Sequence, residues 1–228
     1  MKDRDKFWLF IIFLLIFSFF LFLKALEPEE VEFTSEKIRL WQKAIVFLNY
    51  NNQVQCSGFL VSKDGVVVTV SHLIAGWYVF ADHFPILAVD WKKRVFRTEP
   101  LAYDSGNDIL IVKIKYIKEG SGLKKITYKS DFYFSKFRYP PKEQERVVLL
   151  GFPYGWQYAK VGHILSNIKY SVIGININAF PGMSGSVVVS KDGEVLAMLR
   201  KQLGVGVLVP GFLIEKRLNQ LREGGYIK

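Results

Sequence analysis

The segment FPGMSGSVVV, Phe180 to Val189, sets Ser184 between two glycines immediately before an apolar run. A serine hydroxyl becomes a useful nucleophile only with a base in hydrogen-bond reach and a third group that fixes the base. Three histidines could supply the base. His83, in ADHFP, and His163, in KVGHILSN, read as surface or structural residues, whereas His72 ends VVVTVSH, a buried strand running into a polar turn. Two carboxylates could orient it: Asp108, directly before the apolar run of NDILIVKI, and Asp104 four residues earlier. A loop acid also caps turns without any chemistry, and a GxSG on its own equally fits a tight bend leading into a strand. The lone cysteine, Cys56, lies in the alternating stretch VQCSGFLV and reads as a small packing residue, and with no second cysteine there is no intrachain disulfide.

These residues sit among short apolar or alternating runs bounded by turn signals. AIVFLNY, QVQCSGFLV, VVVTV, ILAVD, RVFRTEPLAYD and DILIVKIKY come first, then RVVLLGF, HILSNIKYSV, SGSVVVS, EVLAMLR and GVGVLVP. Asn51-Asn52 and Asp64-Gly65 tolerate positive φ and predict hairpin turns. Strands this short and this regularly spaced imply an all-β barrel or sandwich rather than alternating βα units. One strong helix is predicted in FLIEKRLNQLREGG, with Leu213, Leu218 and Leu221 near helical spacing and Gly224-Gly225 as its stop; IRLWQKA predicts a shorter one. Between the two strand groups lies a basic, aromatic stretch, with Lys118 to Lys125 compatible with either a loop or disorder.

Ahead of the strands, FWLFIIFLLIFSFFLFL (Phe7 to Leu23) is interrupted only by Ser18 and flanked by Lys6 and Lys24, which predicts a membrane helix over 7–24. A cleaved signal peptide competes with that reading, but the apolar run exceeds the usual length and lacks a clean small-residue cleavage site. Lys2, Arg4 and Lys6 before the run, and Glu27, Glu29 and Glu30 after it, orient the remainder away from the cytoplasm. The formal charge is +10, and residues 1–24 carry four basic and two acidic groups, so +8 remains beyond them. No zinc-finger spacing, basic helix or RNA-binding aromatic motif accompanies the scattered lysines, so nucleic acid is not the expected partner; an anionic membrane surface is.

The ordered blocks SGFLVSKDGVVVTVSHL, YDSGNDILIVKI, LLGFPYG, FPGMSGSVVVSKDGEVLAM and GVGVLVPGFLIEKRLNQL resemble the trypsin-like serine proteases of the HtrA (Deg) family. The resemblance implies two six-stranded β-barrels with the active site between them, a C-terminal helix and, here, one preceding transmembrane helix. It assigns His72 as general base, Asp108 as its orienting acid, Ser184 as nucleophile, and the backbone N–H groups of Gly182 and Ser184 as the oxyanion hole. Asn178 and the strand residues Met198, Leu199 and Arg200 become substrate-binding. The implied layout is a cytoplasmic tail (1–6), an anchor (7–24), a juxtamembrane linker and short helix (25–43) and a protease domain (44–228). Within that domain, barrel one covers about 44–117, a connection 118–145, and barrel two with the helix about 146–228.

The implied activity is endopeptidase hydrolysis of misfolded or regulatory proteins outside the cytoplasm, without cofactor or metal, in a chain that the resemblance suggests forms homotrimers. A catalytically silent protease-fold module that binds peptide, protein or membrane is the alternative. Three departures from the family stand out. Met183 replaces the usual polar or acidic residue before the nucleophile, Ser186 replaces a second glycine, and no peptide-binding PDZ domain follows the helix. Without an aspartate at the pocket floor, small or medium apolar side chains are the expected substrates.

Overall fold

The computed structural model of the protein describes residues 17–18, 33–51, 54–74, 85–120, 122–167, 172–203 and 205–227. Nearly all of the predicted membrane helix, and the expected surface residue His83, lie outside the described residues; among those described, no helix is long and apolar enough to cross a membrane. Two units are distinguished, Met1–Thr34 and Ser35–Lys228, and the second holds every element discussed below.

Helix α1, Ser35–Gln42, opens this unit. Six strands then form the first barrel: β1 (Ile45–Tyr50), β2 (Val54–Leu60), β3 (Val66–Thr69), β4 (Ile86–Val89), β5 (Val95–Asp104) and β6 (Ile109–Glu119). They pair antiparallel in the order β3-β2-β1-β4-β5-β6, and β3 pairs with β6 to close the ring. β3 is the closing strand because all four of its side chains can be buried, and β6 faces it with Leu110, Ile111 and Val112 also fully buried. Burying each such aliphatic side chain is worth about 1.5–3 kcal/mol. Gly65, at φ +86, makes the β2–β3 turn that Asp64-Gly65 predicts.

Lys118–Gly120 and Gly122–Lys125 lie in strand and turn rather than in a structureless loop. β6 runs on to Glu119 and turns at Gly120 into an additional edge strand, β7 (Gly122–Lys125), whose four residues are all exposed. An edge strand of lysines makes ladder hydrogen bonds without an apolar face, so hydrophobic periodicity does not reveal it. The rest of the connection is pinned at both ends: Phe134 N–H donates to Leu60 of β2 (2.9 Å), and Arg138 N–H to Val195 of barrel two (3.0 Å). The Arg138 guanidinium also pairs with Glu145 and with Glu194 (2.7 Å).

Barrel two is formed by β8 (Arg146–Gly151), β9 (Tyr158–Asn167), β10 (Val172–Ile175), β11 (Val187–Val189), β12 (Val195–Leu203) and β13 (Val205–Pro210), closed in the order β10-β13-β12-β11-β8-β9. Helix α2, Gly211–Glu223, buries Ile214, Leu218 and Leu221; Ile214 takes the inward place that spacing assigns to Leu213, which is only half-buried. It stops as predicted: Gly225 enters the left-handed region at φ +73, Tyr226 N–H reaches Leu221 and Gly225 N–H reaches Arg222.

Candidate active site

The β3–β6 register decides which acid meets which histidine. Thr69 pairs with Leu110, so the chain just beyond β3 lies against the chain just before β6. There Ser71–Leu73 forms a 3-10 turn, and Ser71 N–H donates to the Asp108 carbonyl at 3.3 Å. Asp108 holds φ +57, a left-handed conformation that aspartate tolerates better than most residues. Its carboxylate accepts the His72 backbone N–H (2.9 Å) and the Ser71 hydroxyl (3.0 Å) on Oδ1, and His72 Nδ1 lies 2.8 Å from Oδ2. Burial pushes the Asp108 carboxyl up, but the hydrogen bonds from the His72 ring and backbone and from Ser71 outweigh it and hold the group below its ordinary value. With Asp108 ionised, Nδ1 carries the proton and Nε2 is left as the basic nitrogen. The His72 side chain is 44% exposed, so the ring lies partly at the surface.

Asp104 goes elsewhere. Its carboxylate accepts the Asn107 side-chain and backbone N–H groups and the Arg217 guanidinium of α2 (2.7 Å), and is held down to about 2, chiefly by the Asn107 bonds. Of the two carboxylates open in the sequence, the structure brings Asp108 to His72 and gives Asp104 to the C-terminal helix.

Ser184 sits where both barrels hold it. Its carbonyl accepts Ser57 N–H of β2 at 2.8 Å, while the next residue, Gly185, donates to Leu199 of β12 at 2.7 Å. A Cβ on Gly185 would lie 2.0 Å from the Ser57 carbonyl, and its φ is +84, so only glycine permits this approach. The Ser57 carbonyl in turn accepts the Thr69 hydroxyl at 2.7 Å, three residues before His72. Ser184 and His72 are therefore tied to one short stretch of backbone across the barrel interface.

The residues before Ser184 form a β-turn. Met183 N–H donates to the Phe180 carbonyl at 3.0 Å; Pro181, with its ring-fixed negative φ, takes the second position and Gly182, at φ +90, the third. That combination is a type II turn, the form for which a Pro-Gly pair is best suited. Its central carbonyl, that of Pro181, accepts Tyr154 N–H at 3.0 Å, so the Gly182 N–H of the same trans peptide points the opposite way. A Cβ at Gly182 would come within 2.7 Å of the Phe152 carbonyl. Among the described residues, neither Gly182 N–H nor Ser184 N–H is consumed by a backbone hydrogen bond, whereas those of Met183, Gly185 and Ser186 are.

Met183 is fully buried in the barrel-two core, and its Sδ accepts Phe180 N–H at 3.1 Å. The residue that departs most from the family pattern thus closes the turn by apolar burial instead of by a charge. Ser186, the other departure, is also fully buried and donates to Ser57 Oγ at 3.2 Å. Ser57 Oγ donates to the Gly182 carbonyl (2.8 Å) and accepts Phe152 N–H (2.8 Å). Sequence reasoning missed Ser57; its neighbour Cys56 draws the eye, yet the Cys56 thiol is buried, contacts Thr69 Oγ1 at 3.2 Å and is pushed up to about 12 by burial.

Of the expected substrate-binding residues, Asn178 is exposed, the side chains of Met198 and Leu199 are buried within barrel two, and Arg200 turns outward with Nε 3.4 Å from Asp108 Oδ2. His163 lies on β9 opposite Arg146 and has no part in the arrangement.

Two closed antiparallel barrels, with an Asp–His pair on one and a glycine-flanked serine turn on the other, define the class of trypsin-like peptidases. The chain belongs to the trypsin-like peptidase domain family, whose model matches residues 56–198, more than half of the chain. It is similar to a probable periplasmic serine endoprotease DegP-like from Hahella chejuensis, 26% identical over 187 residues, which agrees with the HtrA (Deg) resemblance. That match covers 75% of this chain and spans 36% of the relative's length. Among solved structures, the serine endoprotease from Yersinia pestis superposes with TM-score 0.68 at 19% identity, covering 87% of this chain and 69% of that one. The inactive Ser343Ala form of Rv3671c from M. tuberculosis gives 0.65 at 18% identity, covering 86% and 95%.

Proposed function

We propose that this chain is a serine endopeptidase that hydrolyses peptide bonds of misfolded or regulatory proteins through an acyl-enzyme. The observation that carries the reading is the segment Phe180–Ser184, in which, among the described residues, no backbone hydrogen bond consumes the N–H groups of Gly182 and Ser184 while the carbonyls beside them are bonded elsewhere. In this reading His72 Nε2 takes the Ser184 proton as Oγ attacks the scissile carbonyl carbon, and Asp108 stabilises the imidazolium. The oxyanion rests on Gly182 and Ser184 N–H, each worth about 3–4 kcal/mol of barrier. His72 then gives its proton to the leaving amine, and water repeats the sequence to release the acyl group. Asn178 and the β12 edge from Met198 to Arg200 take the substrate side chain and backbone.

Residues 7–24 anchor the chain, 25–43 lead into the domain, and 44–228 work outside the cytoplasm, in keeping with a relative described as periplasmic. A fluorophosphonate probe tests the chemistry without knowledge of the substrate. The wild type becomes covalently labelled and Ser184→Ala does not; a wild type that resists labelling while folded overturns the reading.

A further inference from the structure

The β12–β13 ladder slips at one place. Leu199 pairs with Leu208 and Lys201 with Val207, so Arg200 is an extra residue with no partner across the ladder. Bulges of this kind re-aim a side chain, and this one aims the Arg200 guanidinium at Asp108, with Nε 3.4 Å from Oδ2. Oδ2 is the same oxygen that faces His72 Nδ1 at 2.8 Å. A buried carboxylate that orients a base is therefore shared between two cations, one permanent and one conditional on pH.

We infer that Arg200 is a positioning residue of the active site, which sets the pH range of His72 by holding part of the Asp108 charge. The inference rests on the proposed peptidase reading for its catalytic consequence, though not for the ion pair itself. An ionised Asp108 alone favours imidazolium. A guanidinium on the same oxygen offsets that preference, so His72 loses its proton, and becomes a competent base, at lower pH than it would with Asp108 alone.

The other charged groups around the pair do not produce this effect. Cys56 of β2 is held neutral by burial. Asp104, at the end of β5, is neutralised by Arg217 of α2. Ser71 and Thr69, from the β3 side, bring hydroxyls only, and the turn Phe180–Ser186 contains no ionisable side chain. Among the described residues Arg200 is the cation paired with Asp108 other than His72 itself.

The experiment compares the full-length wild type with Arg200→Gln and Arg200→Lys, following the second-order rate of fluorophosphonate labelling against pH. The acid limb moves up by about half a unit to one unit in Arg200→Gln, the modest size reflecting the 46% exposure of the arginine. Arg200→Lys, which keeps the charge, moves less, and added salt narrows the gap between wild type and Gln variant. In parallel, NMR titration of the His72 ring in Ser184→Ala, with and without Arg200→Gln, reads the same shift without turnover. Superimposable acid limbs, or a Lys variant displaced as far as the Gln variant, overturn the inference. If the wild type is not labelled at any pH, the peptidase reading fails, and the His72 titration still decides the role of Arg200.

Discussion

Asp108 is held below its ordinary value by hydrogen bonds that exist only in the folded chain, so it favours folding at neutral pH. The sign follows from the depressed value: its contribution is complete above the unfolded carboxylate range near pH 4 and is lost as the pH falls from there through the folded value. Asp108→Asn therefore flattens the acid side of the stability profile, read as Tm between about pH 5 and pH 2. The same change presents the wrong tautomer to His72 and lowers the labelling rate by about four orders of magnitude. Gly182→Ala acts on the other half of the site. A methyl group 2.7 Å from the Phe152 carbonyl, on a residue at φ +90, cannot keep the turn, and the loss of one proposed oxyanion donor costs about 100- to 1000-fold in labelling with β-content by circular dichroism unchanged. The strands beside His72, Asp108 and Ser184 were legible from their apolar runs, while the resemblance to the HtrA family, not spacing, singled these three out as the proposed triad. The roles of Ser57 and Arg200 were not legible: the first acts through partners 95 and 125 residues away, and the second through a bulge that no periodicity announces.

At the level of elements, the two barrels are joined at the site not by strand pairing but by a backbone hydrogen bond, Ser57 N–H to the Ser184 carbonyl, and by the Ser57 side chain. Ser57 of β2 links the Gly182 carbonyl, Phe152 N–H after β8 and the Ser186 hydroxyl before β11. Ser57→Ala leaves Phe152 N–H buried without its acceptor and destabilises the fold by about 1–3 kcal/mol in urea unfolding. Because Ser186 shares the cluster, Ser57→Ala and Ser186→Ala are less than additive; strict additivity in a double-mutant cycle rules out the shared network. Asp104 does comparable work at the end of β5, tying α2 to barrel one through Arg217. Most strands could be read from their apolar spacing, but β7 could not, since a lysine-rich edge strand carries no apolar face. The apolar face of α2 was legible to within one residue, the helix rotating slightly to bury Ile214 because its packing is set by barrel two.

Over the whole molecule, the trypsin-like peptidase domain and the apolar N-terminal run make separate demands on their surroundings. Ser35–Lys228 contains both closed barrels, and each barrel has its own buried core. A chain shortened to Ser35–Lys228 should therefore unfold in a single region of denaturant near that of the full protein and keep its labelling by the fluorophosphonate probe. In the proposed reading residues 7–24 account for stable membrane attachment, since an apolar membrane-spanning helix would be held far more firmly than surface charge can achieve. The shortened chain still carries a positive excess, and weak, salt-sensitive binding to anionic vesicles is expected of it. Flotation of both chains with phosphatidylserine-containing vesicles at low and high salt separates these contributions. The full chain stays with the vesicles at both salt levels, whereas the shortened chain leaves at high salt. Release of the full chain by salt alone would reduce the apolar run to something other than an anchor and leave charge as the sole tether.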